Sequence, residues 1–96
     1  MDNFMGSFGN FASKLRNCAL NGCHLWLYER DGYGITFYDF VVFYDSKHDR
    51  VIYNYMDCNY MMRTETFMTW VALVPKMSEW KVVDLRGNVV DKWLKM

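Results

Sequence analysis

In 96 residues this chain has one proline, six glycines and three cysteines, and its formal charge is zero. Each shortage excludes something. With Pro75 alone and no Gly- or Ser-rich tract, nothing reads as a linker, an internal repeat or a low-complexity segment, so residues 1–96 are expected to form a single domain. Cys18, Cys23 and Cys58 cannot complete a disulfide framework, which suits a reducing compartment. The longest apolar runs, at 40–44 and 70–74, fall far short of the roughly 18 residues of a membrane span. The opening Met1-Asp2-Asn3-Phe4 is acidic and leads into no signal-type apolar core, so a soluble, cytoplasmic protein is expected. Eleven basic and eleven acidic side chains cancel, and no long-range field favours nucleic acid, an anionic membrane or an acidic substrate. Locally the balance breaks: residues 24–60 are net negative by three, and residues 76–96 net positive by two.

Reaction chemistry is missing as well. The chain contains no Gly-x-Ser-x-Gly elbow, no Walker-type phosphate loop and no dinucleotide-binding glycine pattern. Asp45 and Asp49 do not follow the alternating oxygen ligands of a calcium loop. Cys23 and His24 are neighbours, but adjacent strand residues point to opposite faces and cannot form a nucleophile and base. His48 sits in a charged turn beside Asp45 and Asp49. Cys18, Cys23, His24, His48 and Cys58 are the residue types that zinc prefers, yet they include no Cys-x-x-Cys pair, and Cys18 falls on the apolar side of a helix. The expectation is a non-enzymatic protein with no cofactor and no metal.

What the chain does have is apolar and aromatic surface. Hydrophobic residues make up 52% and aromatics 19%, enough to offset chain entropy and build a packed globule. Phe4, Phe8, Phe11, Ala12, Leu15 and Ala19 recur at helical spacing, with Asp2 or Asn3 to cap the start and Asn21-Gly22 to end it. Residues 23–29 alternate, Leu25 and Leu27 opposite His24, Trp26 and Tyr28, and predict a first strand. A turn at 30–34 leads to a second strand over 35–44, a polar turn at 45–49 to a third over 51–56, and together these form a meander. Residues 60–74 carry helical spacing at Phe67, Trp70, Val71 and Val74 behind Thr64, but Thr64, Thr66, Thr69, Val71 and Val74 are β-branched, and strand is the preferred reading, closed by Pro75. Residues 79–85 and 88–94 flank Arg86-Gly87 as a hairpin, with a short terminal helix over 89–96 as the alternative. The fold class expected is α+β: an N-terminal helix packed on a curled antiparallel sheet of about five strands.

The second strand carries most of the functional information, because both of its faces are apolar. Ile35, Phe37, Val41 and Phe43 point one way, and Tyr38, Phe40, Val42 and Tyr44 the other. Each buried aromatic hides about 150 to 250 Å², and one amphipathic helix cannot cover both faces. Tyr28, Tyr33, Tyr38, Tyr44, Tyr53, Tyr55 and Tyr60 crowd this half of the chain with Trp26 and Met61-Met62, the residue types that interfaces favour.

Two short stretches resemble known families. Asp31-Gly32-Tyr33-Gly34-Ile35-Thr36-Phe37-Tyr38 resembles the RNP1 segment of RNA-recognition motifs at Gly32, Tyr33, Gly34 and Tyr38, which implies base stacking on strand aromatics. Asp31 stands where that motif has a basic residue, and Ile35 where it has a ring. Trp70-Val71-Ala72 with Ser78-Glu79-Trp80-Lys81-Val82-Val83 is similar to the tail of phage anti-Thoeris sponge proteins, which sequester a nucleotide-derived signal, although their upstream Trp-Asn-Gly segment is missing.

The function expected is therefore recognition: a small binding protein that inhibits a protein partner, such as a basic surface of a host defence protein, through an aromatic sheet surface. Its type is that of phage anti-defence proteins such as anti-CRISPR inhibitors. Tyr38, Tyr44, Tyr53 and Tyr55 are the expected anchors, with Asp45 and Asp49 steering the partner. The alternative is a homodimer that sequesters a nucleotide-like molecule, stacking it on Trp26, Tyr28 and Trp70 and meeting its phosphate with Arg63 or Lys81. An RNA-binding module is the third reading.

Overall fold

The computed structural model describes residues 2–73 and 78–95, with the side chains of residues 2–7 and 95 left aside. The elements run α1 (Asp2–Ala19), β1 (Cys23–Asp31), β2 (Gly34–Asp45), β3 (Arg50–Tyr55), β4 (Cys58–Arg63), α2 (Thr64–Leu73), β5 (Ser78–Val83) and β6 (Val89–Lys95). The strands form one open antiparallel sheet in the order β4-β3-β2-β1-β5-β6. This is the expected α+β class, with six strands in place of about five and a second helix.

Helix α1 forms where the apolar stripe predicts it. Phe11, Ala12, Leu15 and Ala19 are all buried, while the stripe's first member, Phe4, and the caps Asp2 and Asn3 have side chains outside the described set. The helix ends as expected at Gly22, whose N–H donates to the Ala19 carbonyl at 3.1 Å and whose φ is +89°. A Cβ there would come within 2.6 Å of the Phe43 ring, so glycine is needed for both backbone and space.

The hairpins follow the turn chemistry. Asp31 Oδ1 accepts from the N–H groups of Tyr33 (2.7 Å) and Gly34 (3.1 Å), tying the β1–β2 turn. Asp45 closes the β2–β3 turn, accepting from Lys47 N, His48 Nδ1 and Arg50 Nε at 3.1, 2.9 and 3.0 Å. Asp84 does the same between β5 and β6, accepting from the N–H groups of Arg86 and Asn88, both at 2.9 Å. Residues 89–95 are strand, which resolves the C-terminal alternative.

These donors hold the Asp84 and Asp45 carboxyls below the usual carboxylate range, led by the Asn88 N–H at Asp84 and by His48 at Asp45. Because the folded-state pKa is the lower one, the stabilisation is complete above the ordinary carboxylate value and is lost as pH falls through the depressed one. The melting temperature should therefore decline below about pH 4, and Asp84→Asn should flatten that decline; a variant with the wild-type slope between pH 5 and 2.5 would remove Asp84 from the account.

Two expectations are corrected in the middle of the chain. Strand three is followed by a fourth, β4, across a tight turn in which Met56 and Asp57 both adopt positive φ, 51° and 64°. Residues 64–73 are helix, not strand. Phe67 and Val71, four apart, are fully buried, and this burial outweighs the slight cost of the Thr69 hydroxyl bonding back to the Glu65 carbonyl at 2.9 Å. Thr64 opens the helix without capping it: its N–H donates to the Asp49 carbonyl at 3.1 Å, and its buried hydroxyl has no partner among the described residues. Val74 and Pro75, the expected end of a strand, lie outside the described residues.

Both helices lie on the same face of the sheet. α1 packs against β6, β2, β1 and β5, and α2 against β3 and β4. Beneath them Leu25, Leu27, Phe40, Val42, Val51, Trp80, Val82 and Trp93 form one core with Phe11, Leu15, Phe67 and Val71. The alternation within each strand leaves Trp26, Tyr28, Ile35, Phe37, Val41, Phe43, Ile52 and Met61 on the opposite face, over which no described element lies.

Candidate functional site

The two faces of β2 separate the aromatic residues into two surfaces of different character. On the helix-free face, the register places Trp26 beside Asp39 and Tyr28 beside Phe37. The Phe37 ring meets Tyr28 at 5.0 Å and Trp26 edge-on at 5.8 Å. Ile35, Phe37, Phe43 and Met61 are exposed there, and the Lys81 ammonium stands over the Tyr28 ring at 5.2 Å. His24 Nδ1 lies 2.9 Å from Asp39 Oδ1 on this face. Asp39 on β2 and Lys81 and Glu79 on β5 are interspersed with these rings; exposed apolar surface among polar groups is a common feature of contact sites.

On the helix-bearing face, α2 as far as Leu73 does not cover the far ends of β1–β4. That leaves an open cleft of about 530 Å³. Phe40 forms its floor, and Tyr38, Tyr53, Tyr55, Tyr60 and Trp70 its walls, with Leu27, Leu73 and Glu29 completing it. Trp70 and Tyr53 are nearly parallel (7°) and stand at 85° and 78° to the Phe40 ring. Tyr60 stacks on Tyr53 at 5.0 Å. The neighbouring Glu29 carboxylate, together with burial, pushes the Tyr38 phenol above its usual titration range.

The expected anchors thus occupy the helix-bearing face, half-buried against the core. Tyr38, Tyr53 and Tyr55 come together in the cleft. Tyr44 is apart from them: it lines a second depression with Phe8, Arg16 and Asp49, and its hydroxyl donates to Asp49 Oδ1 at 3.0 Å. Asp45 and Asp49, expected to steer a partner, are engaged in closing their own turn and in holding Tyr44. Of the ligand-stacking set, Trp26, Tyr28 and Lys81 are neighbours on the helix-free face, whereas Trp70 is across the sheet, sharing a shallow hollow with Arg63. The residues that sequence reasoning left out of its site sets are Phe37, Ile35 and Phe43 on one face, and Glu29, Phe40 and Tyr60 in the cleft. The two-sided pattern of β2 was the signal for the first three; the second three depend on where α2 ends.

Other chemistry sorts accordingly. Of the RNP1-like positions, Gly32 and Tyr33 form the tip of the β1–β2 turn and Tyr38 faces the helices, so these rings build no common platform. Cys23 faces Cys18 inside the core side, and burial raises both thiols. His24 faces Asp39 on the other side, so Cys23 and His24 form no nucleophile and base. Cys58 is exposed beside the β3–β4 turn and His48 is bound to Asp45; among the described residues no three metal-ligating side chains converge. No described helix is long and apolar enough to cross a membrane. Comparison with protein-family models, with curated proteins and with solved structures finds no match to this chain.

Proposed function

We propose that this chain is a non-enzymatic binding protein that masks a protein partner with the helix-free face of its sheet, an inhibitor of the type of phage anti-defence proteins such as the anti-CRISPR proteins. The supporting observation is the uncovered apolar face itself, on which Trp26, Tyr28, Ile35, Phe37 and Phe43 lie together. Aromatic residues near the centre of such a surface carry most of the affinity in protein complexes. Phe37, flanked by Trp26 and Tyr28, is the central anchor in this reading, in place of Tyr53. Tyr53 contacts Phe40, Tyr60, Phe67 and Trp70, so its loss would disturb the fold before any partner.

Immobilised chain should retain a discrete partner from bacterial lysate, and Phe37→Ala should weaken that capture by about 2 kcal/mol or more, roughly thirtyfold in affinity. A variant that still melts cooperatively and captures the same partner equally well would sink the proposal.

The second reading is a homodimer that sequesters a nucleotide-like molecule, and the adjacency of Trp26, Tyr28 and Lys81 supports it. Two such faces apposed would sandwich a planar ring, with Lys81 near its phosphate. This reading requires a dimer in sedimentation and a rise in melting temperature with a nucleotide, since a ligand bound only by the folded state stabilises it.

A further inference from the structure

The cleft on the helix-bearing face is distinct from the surface just proposed, on the other side of the sheet, and its chemistry points to a different ligand. We propose that it binds a small organic cation, an alkylated ammonium carrying an apolar or aromatic tail.

Two features favour this class. The first is the ring arrangement. Phe40 as floor, with Trp70 and Tyr53 set at steep angles beside it, lines the open cleft with aromatic rings. Aromatic faces carry negative electrostatic potential, and alkylated ammonium ions, weakly hydrated, are the cations such boxes hold. The second is charge. Among the described residues Glu29 is the one charged side chain lining the cleft, beside Tyr38.

The same features disfavour anions. Lys81 is on the far side of the sheet, and Arg63 lies in the hollow beyond Trp70, outside the cleft lining. A phosphate entering the cleft would meet Glu29. The volume, about 530 Å³, falls within the range of small-molecule sites and accommodates a ring together with its ammonium head.

Benzyltrimethylammonium, its uncharged isostere neopentylbenzene and adenosine monophosphate are the three probes, titrated into the whole chain with the indole signals of tryptophan followed by NMR. The cation should shift the Trp70 indole and bind about tenfold tighter than the isostere, as expected of a desolvated cation among aromatic rings. Glu29→Gln should weaken the cation about fivefold or more and leave the isostere unchanged. Equal affinity for the cation and the isostere would overturn the proposal, as would preference for the nucleotide or an unshifted Trp70 at millimolar cation. Because the comparison of cation with isostere is made on the unaltered chain, it decides the matter even if Glu29→Gln does not fold. Loss of partner capture in Phe37→Ala bears only on the opposite face, so the two proposals fail separately.

Discussion

Trp80→Ala should lower the unfolding free energy by about 3–5 kcal/mol, the cost of deleting a fully buried large aromatic side chain. Trp80 is 0% exposed. It sits on β5 directly opposite Leu27 on one side and Trp93 on the other. Its ring contacts Phe40 at 6.3 Å and Trp70 edge-on at 5.6 Å, so one side chain joins the sheet to α2. A domain of this size has about 5–15 kcal/mol in total, and the melting temperature should fall by more than about 10 °C. Trp80→Phe offers a sharper comparison. The indole N–H of Trp80 is buried with no acceptor among the described residues, and phenylalanine removes that unpaired donor along with part of the ring. Its cost should be well below that of alanine, because an unsatisfied buried donor itself costs about 1–3 kcal/mol. Equal losses for the two variants would mean that the donor is satisfied in solution. A shift of under about 3 °C for Trp80→Ala would contradict the core described above.

Phe40→Ala should be nearly as severe, also about 3–5 kcal/mol, while Phe37→Ala, three residues earlier on the same strand, should cost about 1 kcal/mol. The contrast is the point of the experiment. Phe40 is 5% exposed and touches Tyr38, Tyr53, Tyr55, Trp70 and Trp80. Phe37 is 50% exposed, and its ring partners among the described residues are Trp26 and Tyr28, contacts worth about 0.5–1.5 kcal/mol beyond area. Denaturant titration of both variants measures the difference. Similar costs would require a cover over the Phe37 face in the isolated chain, as a dimer would supply, and protein concentration would then alter the result.

Much of this fold could be read in advance. The stripe from Phe8 to Ala19, the glycine at its end, the alternation through Leu25 and Leu27 and the Asp-led turns each combine a local preference with the packing that uses it. The two apolar faces of β2 were legible for the same reason, and the structure leaves one of them uncovered. The misses are places where the local signal disagrees with the tertiary outcome. β4 follows a two-residue turn of Met56 and Asp57 in left-handed conformations usually given to Asn-Gly, so nothing in the sequence announced a hairpin. Helix α2 contains Thr64, Thr66, Thr69 and Val71, whose branching favours a strand, yet the burial of Phe67 and Val71 four residues apart outweighs that preference. That second miss displaced the site. With α2 read as a strand, Tyr38, Tyr53 and Tyr55 had no helix to pack beside and were assigned to an open surface. As a helix, α2 covers part of their face and leaves a cleft at its end.

The strand order carries a kinetic consequence. β1 to β4 are joined by short turns, so their pairing brings together residues already near one another along the chain. The β1–β5 ladder, from His24↔Val83 to Glu29↔Ser78, instead joins positions 59 to 49 residues apart, and its loop-closure entropy must be met before any of its contacts form. The cost of assembly is thus concentrated at one seam, next to the first strand. Trp80, on the far side of that seam, is a built-in fluorophore for the moment it closes.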